Sequence, residues 1–288
     1  MVVDFKLEEA SSHVIANVDG TGWGNVAGIA LRNYTVAVDS TVFPNLGSIF
    51  RQKLEKRFDL PTKFLLITHY HGDHANGTQA FEDITIISHE ETFLQRKSSA
   101  EERWSSPDYI ENWKKELGEL ASLVGEFRVV YPNITFKNHL KIIDNDLSLE
   151  FIHAGGHTSG SSYVLFPSEK VLISGDLIFA KEFPYSADPS CNPEIWIKTL
   201  KHILELDFQY LVPGHGPVVD KSEVKTCLEI FEKFKGEICA GIAEGKQLSE
   251  ISLPELFKEP KQYYNQDALA HWFNFYKKQQ VGKDVNLE

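Results

Sequence analysis

The chain has 288 residues and carries 29 basic against 41 acidic side chains, a formal net charge of -12. That length holds a deep core in one large α/β domain or two smaller ones, and 42% hydrophobic with 24% charged residues exclude a disordered or fibrous chain. The negative balance makes nucleic acid the weaker of the candidate partners.

The first residues, MVVDFKLEEASSHV, are acidic where a secretory signal needs a basic end and an apolar run. No stretch approaches about 18 uninterrupted apolar residues. A cytoplasmic protein without a membrane span is therefore expected. Short β-branched runs at 13–18, 26–31 and 35–38, separated by the glycine-rich 19–24 and by Arg32 and Asn33, predict a strand meander. A helix over 45–57 leads through Pro61 into a buried strand at 64–67, and a helix after His74 leads into a strand at 84–87. Over 107–124 Ser106 suits a cap and Pro107 the first turn, while Ile110, Trp113, Leu117, Leu120 and Val124 recur at steps of three or four. This predicts an amphipathic helix that packs on the body or acts as a lid. Strands at 147–152, 161–166 and 170–173, a helix over 193–206 and a strand at 208–212 repeat the outline of the first half. Beyond Asp220 the chain reads as helical, with segments at 222–243, 248–257 and 266–279. Cys191, Cys227 and Cys239 match no metal-binding spacing and read as incidental thiols.

The strongest chemical signal is the run Thr68, His69, Tyr70, His71, Gly72, Asp73, His74, directly after the buried strand at 64–67. Alternation along an extended segment sends His69 and His71 to one side, and the following turn aims Asp73 and His74 at an adjacent point. Imidazole and carboxylate donors suit zinc, iron or manganese, and two such pairs suit two neighbouring ions better than one crowded ion. Downstream, His157, Asp176 and His215 each follow or end a strand beside glycines, which let backbone pass close to a site. Open strand ends are where layered α/β folds place ligands.

This set, in this order and setting and with Asp39 in Val38-Asp39-Ser40-Thr41, resembles the metallo-β-lactamase superfamily, in the branch with an HxHxDH motif and a bridging aspartate. The resemblance covers about residues 13–220. It implies an α/β fold, a four-layer αβ/βα sandwich with a dinuclear site at one edge, here followed by a helical C-terminal extension. The organisation expected is a catalytic domain over 1–220, with a helical insertion at about 94–128, and an extension over 221–288 packed on the same domain.

The resemblance further implies that His69, His71 and His157 hold one metal, that Asp73, His74 and His215 hold a second, and that Asp176 bridges them. Two Zn2+ ions are expected, with Fe or Mn as alternatives. An aspartate at the bridging position sets the chain apart from antibiotic-degrading branches with cysteine there, and favours thioesterase, lactonase and phosphodiesterase branches. Two close divalent ions lower the pKa of a shared water towards about 7, which supplies hydroxide as nucleophile. The expected activity is hydrolysis of an ester, thioester, lactone or amide, β-lactams included. A nuclease or phosphodiesterase and an iron-dependent oxygen or sulfur enzyme are the alternatives.

Asp73 is the candidate for moving the proton, with Tyr70 and Gly72 as spacers. Asp39 is expected to support rather than ligate, by accepting an imidazole N–H and fixing its tautomer. The hydroxyls of Thr68 and Thr158 are expected to bond local backbone. Trp23 and Asn25 in the 21–25 loop, and Phe183 and Tyr185 in the 179–193 loop, are candidate contacts for a small-molecule substrate. His153 is a weaker candidate. In the tail Trp272, Phe273, Phe275 and Tyr276 either cover the site or join two copies in a homodimer; otherwise the protein is a monomer.

Overall fold

Residues 8–38 form a meander in which β1 (Glu8–Ser11), β2 (Val14–Asn17), β3 (Val26–Ala30) and β4 (Thr35–Val38) pair antiparallel in chain order. The computed structural model describes residues 4–251 and 262–285. After β4, α1 (Pro44–Phe58) crosses to β5 (Thr62–Ile67), and the single-turn α2 (Gly72–Ala75) with a 3-10 stretch leads to β6 (Thr85–His89). Both strands run parallel to β4, and β7 (Ile134–Phe136) completes a seven-stranded sheet in sequential order. The second sheet has the order β12-β11-β10-β9-β8. Its antiparallel part is β8 (His139–Asp144), β9 (Leu147–His153), β10 (Ser162–Phe166) and β11 (Val171–Phe179). The crossover helix α5 (Pro193–Glu205) then adds β12 (Tyr210–His215) parallel to β11.

The period of two along each strand divides its side chains between two cores. Val36 and Val38 of β4 and Leu66 of β5 point between the sheets, where they meet Leu149 and Phe151 of β9 and Val164 and Phe166 of β10. Their neighbours Ala37, Leu65 and Ile67 point the other way, onto Leu46, Phe50 and Leu54 of α1. On the far side Tyr163, Leu172 and Leu211 lie under Trp196, Leu200 and Ile203 of α5 and Phe231 and Phe234 of α6 (Lys221–Ala243). α7 (Gln262–Val285) adds Leu269, Trp272, Phe273 and Tyr276 to that same core. Helix, sheet, sheet and helix thus stack in the four layers expected.

Several elements differ from the expectations. β1, β7 and β8 were not anticipated, α3 (Glu90–Ser99) begins ahead of the helical insertion expected from about 94, and β11 runs on past 173 through Asp176 to Phe179. The helix expected over 107–124 is α4 (Pro107–Leu117), capped by the Ser106 hydroxyl as predicted, but it stops at Gly118. There φ is 56° and ψ -120°, a backbone that essentially only glycine adopts, and 3-10 turns replace the helix over 118–123. In the tail the 248–257 segment is a short 3-10 turn at Leu248–Glu250, and its portion from 252 onward lies outside the described residues. No helix among the described residues is long and apolar enough to cross a membrane.

Candidate metal centre

Strand ends deliver the chemistry. β4 ends one residue before Asp39; β5 hands the chain to Thr68, His69 and Tyr70; and His71 precedes α2, whose one turn carries Asp73 and His74. His157 lies in the loop from β9 to β10, Asp176 within β11, and His215 at the end of β12. Two glycines make the approach of β11 and β12 feasible. Gly175, with φ 51°, sits where the β11–β12 register shifts, and a Cβ on it would lie 2.5 Å from Thr68 Oγ1. A Cβ on Gly214 would lie 2.0 Å from Asp176 Oδ1.

Asp176 stands at the middle of the cluster. Its Oδ2 lies 3.4 Å from His69 Nε2 and 3.3 Å from His157 Nε2, while its Oδ1 lies 2.9 Å from His74 Nε2 and 3.4 Å from His215 Nε2. His71 Nδ1 is 3.0 Å from His157 Nε2, on the first side. Asp73 Oδ2 is 3.3 Å from His215 Nε2 and 3.6 Å from His74 Nε2, on the second. The structure therefore gathers two groups, His69 with His71 and His157, and His74 with Asp73 and His215. One carboxylate oxygen of Asp176 is turned to each.

The surroundings fix which ring nitrogen faces inward. His74 Nδ1 is 2.9 Å from Asp39 Oδ2, His157 Nδ1 is 3.0 Å from the Tyr185 carbonyl, and His69 Nδ1 is 3.1 Å from Thr68 Oγ1. Thr68 Oγ1 itself donates to Asp39 Oδ2, so at His69 the ring N–H donates to the hydroxyl. His71 is reversed, with Nε2 2.9 Å from Asp188 Oδ2. In each ring an N–H bonded to protein leaves the opposite nitrogen as a lone pair for the centre. His215 is held instead by stacking on Phe179, with ring centroids 4.5 Å apart.

Burial opposes charge throughout the cluster, and the neighbours decide the outcome. At His69 and His157 burial prevails and pushes the pKa down, far down at His157. At His74 and His215 the Asp176 and Asp73 carboxylates outweigh burial and raise the pKa, to about 9 for His215. Conversely, Asp73 and Asp176 stay below the usual carboxylate range because the His74 and His215 rings outweigh their burial. Within this shell His69 Nε2, His74 Nε2 and Asp176 Oδ1 are buried with no hydrogen-bond partner. Bare buried polar atoms cost free energy that coordination would recover. Nitrogen and oxygen donors without a thiolate fit divalent zinc, iron or manganese.

Other residues differ from their expected places. Tyr70, expected as a spacer, donates its hydroxyl to Asp188 Oδ2 at 2.5 Å. Asp188 was not anticipated at all; its Oδ1 accepts from Ser190 N and Oγ, and its bonds to His71, Ser190 and Tyr70 overcome burial to hold its pKa low. Only its position in the 179–193 loop pointed to it. Thr68, expected to bond local backbone, belongs to the Asp39 network, whereas Thr158 pairs locally with Ser161. His153 is turned away from the cleft: it stacks on His89 at 3.7 Å and bonds the Ser159 carbonyl.

A cleft of about 860 Å³ opens over His71, Asp73, Asp176 and His215, and Trp23, Asn25, Phe183 and Tyr185 all border it. Trp23 meets Phe43 edge-on and is 45% exposed, so its ring is free to meet a ligand. Asn25 is buried and its amide donates to the Pro213 and Gly216 carbonyls, which holds the turn that carries His215. Phe183 packs on Phe234, and Tyr185 edges the His71 ring. In the tail Trp272 packs on Phe231 and Phe234 of the same chain, and Trp272, Phe273 and Tyr276 are buried there.

Comparison with known proteins adds four findings. A sequence profile of the metallo-beta-lactamase superfamily matches residues 24–215. The 2,4-dinitroanisole O-demethylase subunit alpha of Nocardioides sp. (strain JS1661) is 25% identical over 202 residues, 68% of this chain, which spans about half of that subunit (54%). The metallo-beta-lactamase type 2 of Bacillus cereus is 25% identical over 203 residues, 68% of each chain. Among solved structures, a metallo-beta-lactamase from Pontibacter korlensis superposes with a TM-score of 0.61 at 18% identity, over 79% of this chain and 98% of its own.

Proposed function

The chain belongs to the metallo-beta-lactamase superfamily, and from that premise we propose that it is a dinuclear metal-dependent hydrolase of a small molecule. The observation that carries the reading is the division of Asp176, one carboxylate oxygen towards His69 and His157 and the other towards His74 and His215. In this reading His69, His71 and His157 would hold one ion and Asp73, His74 and His215 a second, with the Asp176 carboxylate between the two groups. When bound, such ions polarise a scissile carbonyl and make hydroxide available near neutral pH.

The chain's own residues do the rest. Asp39, Thr68, Tyr185 and Asp188 set the inward nitrogens, and Asp73, whose Oδ2 borders the cleft beside His215, takes and returns the proton. Trp23 and the Phe183–Tyr185 wall exclude water and shape the substrate space. The target bond is an ester, thioester, lactone or amide. Acidic Asp19, Glu182 and Asp188 along the cleft favour a small molecule over a polyanion. We also take 1–220 as the catalytic unit, with 94–128 as an insertion, and 221–288 as an extension on it; the burial of α6 and α7 side chains against α5 supports this.

The test is metal content by mass spectrometry together with turnover on a panel of esters, thioesters, lactones and β-lactams. Zinc at about two ions per chain is expected. Asp176→Ala should keep the fold, retain at most about one ion and lose about a thousandfold or more in turnover, because this chemistry supplies several kcal/mol. Unchanged turnover on a good substrate would refute the reading.

A further inference from the structure

Among the described residues, the charged groups that border the cleft outside the histidines are acidic with one exception. Among the described residues Arg103 is the only lysine or arginine that borders it, against Asp19, Glu182 and Asp188. Arg103 is exposed, and among the described residues its guanidinium makes no hydrogen bond or ion pair. Most arginines of this surface are engaged: Arg32, Arg51, Arg57 and Arg128 each bond a carboxylate.

The backbone that presents Arg103 is itself unusual. It lies on one π-helical turn, Ala100–Trp104, between α3 and α4, closed by Ser105 N–H to the Ala100 carbonyl. Such turns are rare and occur frequently at functional sites. The turn is anchored by buried Ala100 and by Trp104, which meets Trp113 at 5.1 Å and Phe127 at 5.4 Å. As a result Arg103 and Trp104, adjacent in sequence, both border the cleft, with Trp113 beside them. Arg103 also stands on the His71 side of the cluster, near enough for its charge to act on the Tyr70 phenol.

We propose that Arg103 is an anion-binding subsite, which selects substrates carrying one carboxylate or sulfonate joined by an apolar or aromatic body to the hydrolysable bond. A guanidinium offers a planar fork to such a group, and the indole rings cover the body that links it to the reacting bond. One described guanidinium among the five carboxylates that border the cleft, Asp19, Asp73, Asp176, Glu182 and Asp188, admits a single anionic group and rejects a polyanion. The position of the hydrolysable bond rests on the hydrolase reading above; the anion site does not.

The experiment therefore reads binding first. Quenching of tryptophan fluorescence by 4-nitrobenzenesulfonate and by neutral nitrobenzene is measured on the metal-loaded protein, its Arg103→Ala variant and its Arg103→Lys variant. Arg103→Ala should bind the sulfonate about tenfold more weakly, the loss of one charge-assisted bond, with nitrobenzene unchanged and Arg103→Lys in between. In turnover the same variant should raise KM for mono(4-nitrophenyl) adipate, with kcat and the kinetics of 4-nitrophenyl hexanoate unchanged. Equal sulfonate affinity in wild type and Arg103→Ala, or equal loss of both probes, would overturn the proposal. Failure of every ester, thioester, lactone and amide to turn over, with the sulfonate contrast intact, would refute the hydrolase reading and support the subsite.

Discussion

Each histidine of the first group keeps one nitrogen for the centre because the other is already bonded, and at His71 the partner is Asp188. Asp188→Asn keeps the shape but offers an amide that can present N–H to a ring that needs an acceptor. Metal affinity at the His71 side should fall about 10- to 100-fold, measured by competition with a chromogenic chelator, while the fold is retained. Tyr70→Phe removes only the hydroxyl donor to Asp188 and should cost less, within about tenfold. The ligand run from His69 to His74 was legible because chemistry and spacing coincide in one short stretch. Asp188 was not, because its loop follows Asp176 and nothing in Ser186-Ala187-Asp188-Pro189 says that it folds back onto His71.

At the scale of elements, the β-branched run at 35–38 and the apolar run at 64–67 placed β4 and β5 correctly because both faces of these strands feed buried cores. β8 escaped notice because every other residue is exposed and it is an edge strand, so its apolar signal is halved. The start of α3 escaped because its two apolar residues, Phe93 and Leu94, are adjacent and set no helical period, while its buried side chains are the polar Thr92 and Arg96. The break in the 107–124 helix comes from Gly118. Gly118→Ala would force a Cβ onto a backbone that side chains avoid, and about 1–3 kcal/mol of stability should be lost. A lower melting temperature with metal content unchanged is the outcome expected; equal stability would mean that the turn relaxes into a continuous helix. Gly214→Ala should lower both stability and metal content, because its Cβ would lie 2.0 Å from Asp176 Oδ1 and also 2.6 Å from the Gly175 carbonyl carbon and 2.7 Å from Asp176 N.

Over the whole molecule, folding gathers protonatable groups that metal must discharge. Without metal, His74 and His215 hold their protons above the ordinary histidine value, His215 up to about 9. A folded pKa above the unfolded one adds stability that is complete below about 6.5 and is lost as pH rises through the folded value. Chelator-treated protein should therefore lose thermal stability between about pH 6.5 and pH 9, whereas metal-loaded protein, whose ligands are already deprotonated, should not. Melting curves across that range check it, and so does proton release on metal addition at pH 7.5, read by calorimetry in two buffers. A flat profile for the chelated protein would show that these histidines are not held by Asp73 and Asp176.

The sequence by itself determined the candidate ligand types, their order along the chain and the strands that carry them, because a histidine or aspartate at a strand end is a local fact of spacing. It also carried the four-layer architecture, through the family its motifs resemble. Tertiary structure alone decided how Asp176 divides its two oxygens, which ring nitrogen each histidine turns inward, and that Asp188 and Arg103 border the same cleft. Those facts depend on side chains more than a hundred residues apart meeting within hydrogen-bond distance, as Tyr70 and Asp188 do at a separation of 118. Local periodicity contains no term for such contacts; only the packing of two sheets against each other supplies it.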